Sequence, residues 1–135
     1  MNLNESIHRI LQHRESLADL FYLVFLDRYP DVRQHFQGVD LKNQAVLLTM
    51  VLMVIERHHR ASYPATEVYL KYLGTKHSRR GIPPDLYPHF RDAMLAALEQ
   101  FHSQDWTESL ANQWTEAIEE AAGTMLEGYK QHYSV

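Results

Sequence analysis

Residues 76–87 contain a histidine and a tyrosine whose types and spacing suit a metal-ligand site. His77 stands at the end of one helical pattern and Tyr87 near the start of the next, with Pro83 and Pro84 between them. Proline cannot continue a helix but suits its first turn, so two helices are predicted to meet at this corner. Such a corner can aim one imidazole nitrogen inward while its neighbours hold the ring, and a haem iron requires this support from its proximal ligand. The alternative is that His77 is a surface residue, one of nine histidines in the chain.

Length and composition indicate a single domain over residues 1–135. The chain is long enough for one sizeable core, and its 45% hydrophobic share is ordinary for a folded protein. It contains no cysteine, which excludes disulfides, cysteine zinc sites, thiol catalysis and attachment of haem through cysteine.

Charge and hydropathy argue against nucleic-acid and membrane partners. The formal net charge is −4, which does not favour binding to a phosphate backbone. The first six residues are polar and acidic, unlike a signal peptide, and the longest apolar run, from Ala45 to Ile55, is shorter than the ~20 residues that span a bilayer. We therefore expect a cytoplasmic protein.

A basic cluster surrounds His77, formed by Lys71, Lys76, Arg79 and Arg80. One interpretation is a solvated helix end, where cations complement the helix dipole. The other is that some of these cations pair with carboxylates of a bound ligand, such as haem propionates.

Apolar residues recur at helical spacing along the whole chain. The predicted helices begin with a cap at Asn4 and then cover about residues 17–29, 31–36, 40–59, 65–76, 85–101 and 107–129. The helix at 40–59 is the most apolar, and we expect it to be largely buried. About seven helices of uneven length predict an irregular all-α packing rather than a simple four-helix bundle.

Four features occur in a recognisable order. They are Phe21-Tyr22 followed by Pro30 and Phe36, with 36 − 22 = 14 positions from the tyrosine to the phenylalanine; a long apolar helix starting near Asn43-Gln44; Lys76-His77 followed by Ile82 and Tyr87; and Trp114 in the last long helix. Together they resemble the globin family, specifically the single-domain bacterial globins and the haem domain of flavohaemoglobins. The resemblance covers nearly the whole chain and implies a globin fold around a pocket for haem b.

On the proximal side, the resemblance implies that His77 is the iron ligand. Ile82 and Phe90 would pack on this side of the ring. Tyr87 matches a tyrosine that, in flavohaemoglobins, joins a hydrogen-bonded network with a glutamate of the last helix.

The chain departs from the family pattern at that glutamate. Counted from Trp114, the corresponding position falls near Tyr129, and the nearest acid is Glu127. The proximal network of the enzymatic members is therefore not carried over.

On the distal side, the resemblance implies four residues. Tyr22 would donate a hydrogen bond to the bound gas, Phe36 would wedge against the haem face, and Gln44 would be the polar distal residue with Leu48 one turn later. The alternatives are that Tyr22 is a core tyrosine whose hydroxyl reaches a backbone carbonyl, and that Gln44 is a helix-start residue. His35 is the candidate for the propionates or the distal entrance.

The resemblance implies a haem protein that binds a diatomic gas, O2 foremost, with NO and CO as further ligands. An NO dioxygenase would use the same pocket, and steady nitrate production over many turnovers would distinguish it. No reductase domain precedes Val135, so electrons are expected from a separate reductase or a small reductant. A gas-sensor module and a haem-free helical regulator are two further functions compatible with the sequence, which leaves the oligomeric state open.

Overall fold

A computed structural model describes residues 1–133, except for the side chains of residues 14–15 and 131–133. This part of the chain is mostly helical, with short connectors between the helices, and contains no strand. The elements are α1 (Leu3–Gln12), α2 (Arg14–Arg28), a 3-10 segment (Pro30–Phe36), α3 (Leu41–Arg60), α4 (Pro64–Arg79), α5 (Leu86–His102), a 3-10 turn (Ser103–Asp105) and α6 (Glu108–Tyr133). The all-α prediction is confirmed.

Several predicted helix ends differ from the structure, and two of these differences bear on the fold and on the site. The prediction that Asn4 caps the first helix is wrong, because the Asn2 side chain accepts a hydrogen bond from the backbone N–H of Glu5 at 2.8 Å. The Glu5 carboxylate in turn accepts from the Asn2 backbone at 3.2 Å, which completes a capping box. The second difference is the end of α4, which lies at Arg79 rather than at the predicted Lys76. His77 therefore lies inside the last turn of a helix, and the helix backbone fixes its direction.

A buried polar contact ties three helices together at the centre of the core. The indole Nε1 of Trp114 in α6 donates to the hydroxyl of Ser6 in α1 at 3.0 Å. The same hydroxyl lies 2.6 Å from Nε2 of His102 in α5. All three side chains are buried, so Trp114 contributes both apolar area and a satisfied donor.

The helix that carries His77 packs directly against α6, and this is the most extensive helix contact in the described chain. Glycines permit the close approach: a Cβ on Gly74 would lie 1.8 Å from the carbonyl oxygen of Met125, and one on Gly128 would lie 2.1 Å from that of Lys71. The Thr75 hydroxyl adds a hydrogen bond to the Gly128 carbonyl at 2.9 Å. The position of α4 is therefore set by backbone against backbone.

The expectation that the most apolar helix is largely buried is wrong for one of its faces. Leu52 and Ile55 of α3 are buried, but a second apolar face is about half exposed. Its members are Val46, Leu47, Met50 and Met53. Within the described residues no single helix is long and apolar enough to cross a bilayer; the 3-10 segment and α3 meet that criterion only jointly, and they are bent by 102°.

Candidate functional site

A cavity of about 350 Å³ lies among the helices and is lined mainly by apolar and aromatic side chains. The structure brings all eight residues that the sequence analysis assigned to the haem pocket to the wall of this cavity. They are Tyr22, Phe36, Gln44, Leu48, His77, Ile82, Tyr87 and Phe90. Residues far apart in the chain thus meet around one space, as a cofactor pocket requires.

His77 projects from the last turn of α4, and its ring is held from one side. Its Nδ1 lies 2.8 Å from the hydroxyl of Tyr87. The corner after the helix is closed by a hydrogen bond from the backbone N–H of Ile82 to the carbonyl of His77 at 3.0 Å. Because Nδ1 is engaged, Nε2 is the nitrogen available to a ligand.

Burial lowers the pKa of His77 to about 4, and the positive charges of Arg80 and Lys76 contribute to the same shift. The imidazole is therefore neutral at pH 7, with a lone pair on one ring nitrogen. A neutral imidazole is the form that binds a metal ion.

A tyrosine of α6 completes the hydrogen-bonded group behind His77. The Tyr129 hydroxyl donates to the carbonyl of Ile82 at 2.8 Å. Burial, together with a hydrogen bond to Tyr129, raises the pKa of Tyr87 well above its usual range, so Tyr87 stays protonated. The sequence predicts no role for Tyr129, and Glu127, the nearest acid, forms an exposed ion pair with Lys71 at 3.4 Å instead. Counting from Trp114 to the position of the family's glutamate leads to Tyr129, and this count is the sequence signal that could have identified it.

Tyr22 of α2 is buried at the cavity wall, among aromatic rings. Its ring lies edge-on to Phe21 at 5.1 Å and to Phe36 at 5.7 Å between centroids. Burial raises the pKa of Tyr22 to about 12, so its hydroxyl keeps its proton. Within the described residues this hydroxyl has no hydrogen-bond partner. It does not reach a backbone carbonyl, in contrast to the core-tyrosine interpretation.

Gln44 lies in the first turn of α3. The Asp40 side chain caps this helix by accepting from the backbone N–H of Lys42 at 2.9 Å. The Gln44 side chain lines the cavity together with Leu48. Gln44 is thus both a helix-start residue and a wall residue.

Basic side chains border part of the cavity. Lys76 and Arg80 line it at the end of α4, and His35 lines it from the 3-10 segment. The Arg80 guanidinium donates to the carbonyl of His35 at 3.4 Å, which links the end of α4 to the 3-10 segment. Lys71, by contrast, is paired with Glu67 at 3.2 Å, away from the cavity.

These features define an α-helical protein with an apolar cofactor pocket and one ligand histidine candidate. Residues 18–125 match the family model described as Globin, and the chain belongs to the globin family. Membership of this family implies a haem cofactor and the binding of a diatomic gas such as O2.

Individual relatives agree with this family. The chain is 31% identical over 129 residues to globin CTT-II beta of Chironomus thummi thummi, a match that covers 85% of this chain and 79% of the relative. It is 26% identical over 80 residues to a Gossypium hirsutum protein named as an anaerobic nitrite reductase, and this match covers 58% of the chain and 50% of the relative's length. The chain thus spans about half of that relative.

Solved structures share the fold. A protein of Pseudomonas aeruginosa PAO1, described as structurally highly homologous to a human haemoglobin, has a TM-score of 0.76 at 26% identity and covers 92% of this chain and 98% of its own. A bacterial globin of Campylobacter jejuni has a TM-score of 0.83 at 17% identity, over 98% of this chain and 95% of its own.

The residues present fit a haem. The cavity wall offers one neutral imidazole whose second nitrogen is already held, which is the donor that a haem iron needs from the protein. Apolar side chains match the porphyrin faces, and Lys76 and Arg80 match the two propionates in charge.

Proposed function

We propose that this globin binds O2, and also NO and CO, at a haem b held by His77, with Tyr22 as the hydrogen-bond donor to the bound gas. The observation that supports the proposal is the Tyr22 hydroxyl. It is buried at the wall of the cavity that also contains His77, it keeps its proton, and it has no partner within the described residues. A donor at the cavity wall without a protein partner is ready for an acceptor supplied by a ligand.

The haem supplies the iron to which the gas binds, and the protein side chains govern how long it stays. Tyr22 would donate a hydrogen bond to the atom of the gas on which negative charge develops, and would keep its proton. Hydrogen bonds to charged acceptors contribute roughly 1.5–3 kcal/mol. Release of O2 would therefore be slow, which suits scavenging or chemistry better than bulk transport.

Absorption spectra of the ferric, ferrous and CO-bound forms test haem binding and reveal any sixth protein ligand. Stopped-flow measurement of O2 release then tests the distal assignment. Since 1.4 kcal/mol is a factor of ten, Tyr22→Phe should release O2 roughly ten- to hundredfold faster.

Tyr29→Phe is the matched control, because Tyr29 ends the same helix but does not line the cavity and stacks on His89 instead, at 4.1 Å between ring centroids. It should leave the rate unchanged. An unchanged rate in Tyr22→Phe would overturn the role of Tyr22 while leaving haem binding intact.

A further inference from the structure

Charge is divided unevenly along the chain. Residues 41–80, which comprise α3, α4 and their connector, contain seven lysines and arginines and two acids, a formal charge of 7 − 2 = +5. The whole chain carries −4, so the remaining residues carry −4 − 5 = −9. Two propionates of a bound haem would still leave the segment at 5 − 2 = +3. The segment is therefore a basic part of an otherwise acidic protein.

Several cations of this segment are not neutralised within the protein. Lys71 is paired with Glu127 of α6 at 3.4 Å. Lys42 and Arg57 are exposed and have no carboxylate partner within the described residues. The Arg57 guanidinium instead lies 4.6 Å from the centre of the Tyr63 ring. These cations are available to carboxylates of another molecule.

The same segment holds most of the exposed apolar side chains. Of the nine large apolar or aromatic side chains that are exposed in the described part of the chain, eight lie in it. They are Leu41, Val46, Leu47, Met50, Met53, Tyr63, Val68 and Tyr72. A concentration of this kind marks an interaction site, and methionine, tyrosine and arginine are enriched at the centres of protein–protein interfaces. The composition therefore indicates a protein partner, and the charge indicates an acidic one.

This part of the surface is continuous with the open edge of the cavity. Leu47 of α3 and Tyr72 and Lys76 of α4 line the cavity, and all three are exposed. The Lys76 ammonium lies 5.6 Å from the centre of the Tyr72 ring. A partner seated here would contact the rim of the cofactor pocket.

We propose that the α3–α4 surface, defined as the exposed side chains of residues 41–80, docks an acidic electron-donor protein at the rim of the haem pocket. The proposal rests on the proposed haem site. One electron leaves the donor, which is oxidised, and reduces the haem iron from ferric to ferrous; no bond forms or breaks. Electron-transfer encounters bury less than about 1,200 Å² in total, and complementary charge steers them. A second copy of this chain fits less well, because a symmetric pair would bring two basic surfaces together.

Reduced flavodoxin, a small acidic flavoprotein, is the probe for electron transfer. Stopped-flow reduction of the ferric, haem-loaded full chain should slow as salt is added, and Arg57→Glu should lower the rate about tenfold at low salt. Arg28→Glu is the matched control, since Arg28 is exposed, belongs to α2 and undergoes the same change of charge. It should alter the rate less than about twofold. Dithionite, a small reductant that needs no docking, should reduce all three proteins at the same rate.

Calorimetric titration with oxidised flavodoxin measures docking without electron transfer. Arg57→Glu should lower both the affinity and its dependence on salt. Met50, which is 50% exposed, tests the apolar part of the surface. Met50→Gln keeps the length of the side chain but gains less from burial, so binding should weaken roughly three- to tenfold with an unchanged salt dependence.

The outcomes separate this proposal from the haem site. A protein that takes up no haem would contradict the proposed function, and the calorimetric titration would still decide whether the surface docks an acidic protein. Equal effects of Arg57→Glu and Arg28→Glu on a haem-loaded protein would overturn the docking surface alone. Sedimentation tests the other occupants. A salt-sensitive dimer that Arg57→Glu abolishes would assign the surface to a second copy, and binding to phosphatidylglycerol vesicles that the same variant abolishes would assign it to a membrane; either result would overturn the proposal.

Discussion

Replacing Gly74 with alanine should separate α4 from α6 and displace the turn that carries His77. A Cβ at this position would lie 1.8 Å from the carbonyl oxygen of Met125, whereas ordinary contacts begin at 3.4 Å. The neighbouring group is backbone and cannot rotate away, so one helix must move by about 3.4 − 1.8 = 1.6 Å. Position 74 is three residues before His77, about 4.5 Å along the helix axis, and the movement should reach the ligand.

Two opposing terms set the magnitude. Alanine is favoured over glycine inside a helix by about 1 kcal/mol. Overpacking a rigid core contact is unfavourable by about 1–3 kcal/mol and occasionally more, and a backbone overlap of this size belongs at the upper end. We therefore expect a net loss of about 2 kcal/mol in the free energy of unfolding.

Gly123→Ala is the matched control within the same helix pair. A Cβ on Gly123 meets nothing within 4 Å, so only the helix-propensity gain remains, and stability should rise by about 0.5–1 kcal/mol. Urea unfolding of the haem-free full chain measures the free energy of unfolding of both variants. The values can be compared if the variants have equal m-values. The rate of haem loss should rise in Gly74→Ala and stay constant in Gly123→Ala. If Gly74→Ala is as stable as the wild type, the close approach of the two helices is wrong.

Two further predictions concern ionisable side chains. Burial lowers the pKa of His102 from 6.5 to about 4; the charge of Arg9 adds to this shift and that of Asp105 opposes it. The unfolded chain therefore binds the proton more readily than the folded chain. At 1.36 kcal/mol per pKa unit, the free energy of unfolding should fall by about 3 kcal/mol as the pH drops from 6.5 to 4. Urea unfolding across this pH range should show His102→Gln lacking that part of the decline, and an equal decline in both proteins would contradict the assignment. Arg80→Ala should speed haem loss up to about fivefold at low salt and much less at high salt, since exposed ion pairs contribute about 0.2–1 kcal/mol. Lys42→Ala, an exposed cation that does not line the cavity, is the control, and equal effects of the two variants would refute a propionate contact.

Much of the fold could be predicted because helical periodicity is a local property. The inner stripe of α5 illustrates this: the spacing of Met94 and Leu98 predicts that they face the core, and both are fully buried. The predicted start of α1 is wrong because Asn2 and Asn4 both suit a cap, and only the contacts of the folded chain choose between them. The exposed apolar face of α3 escapes prediction for a related reason, since a continuous apolar run does not state which of its sides has a neighbour.

The glycines show a second limit of sequence reasoning. Judged from the local sequence alone, Gly74 destabilises its helix by about 1 kcal/mol relative to alanine. In the structure it is one of the two glycines at which α4 and α6 touch through their backbones. Such a role depends on a pair of residues, here Gly74 and Gly128, that are 128 − 74 = 54 positions apart, and no local pattern connects them.

Three tyrosines at the candidate site differ in whether the hydroxyl has a hydrogen-bond partner in the protein, which the sequence does not show. Tyr87 and Tyr129 are hydrogen-bonded to groups of the protein, whereas the hydroxyl of Tyr22 has no partner within the described residues. The Tyr22 hydroxyl oxygen keeps accessible surface at the cavity wall, so it is not a donor sealed inside the core. Phenylalanine at position 22 would keep the aromatic packing with Phe21 and Phe36, so packing alone does not require the hydroxyl. We therefore infer that the hydroxyl of Tyr22 is needed for an acceptor that enters the cavity, whereas those of Tyr87 and Tyr129 act within the protein to hold His77.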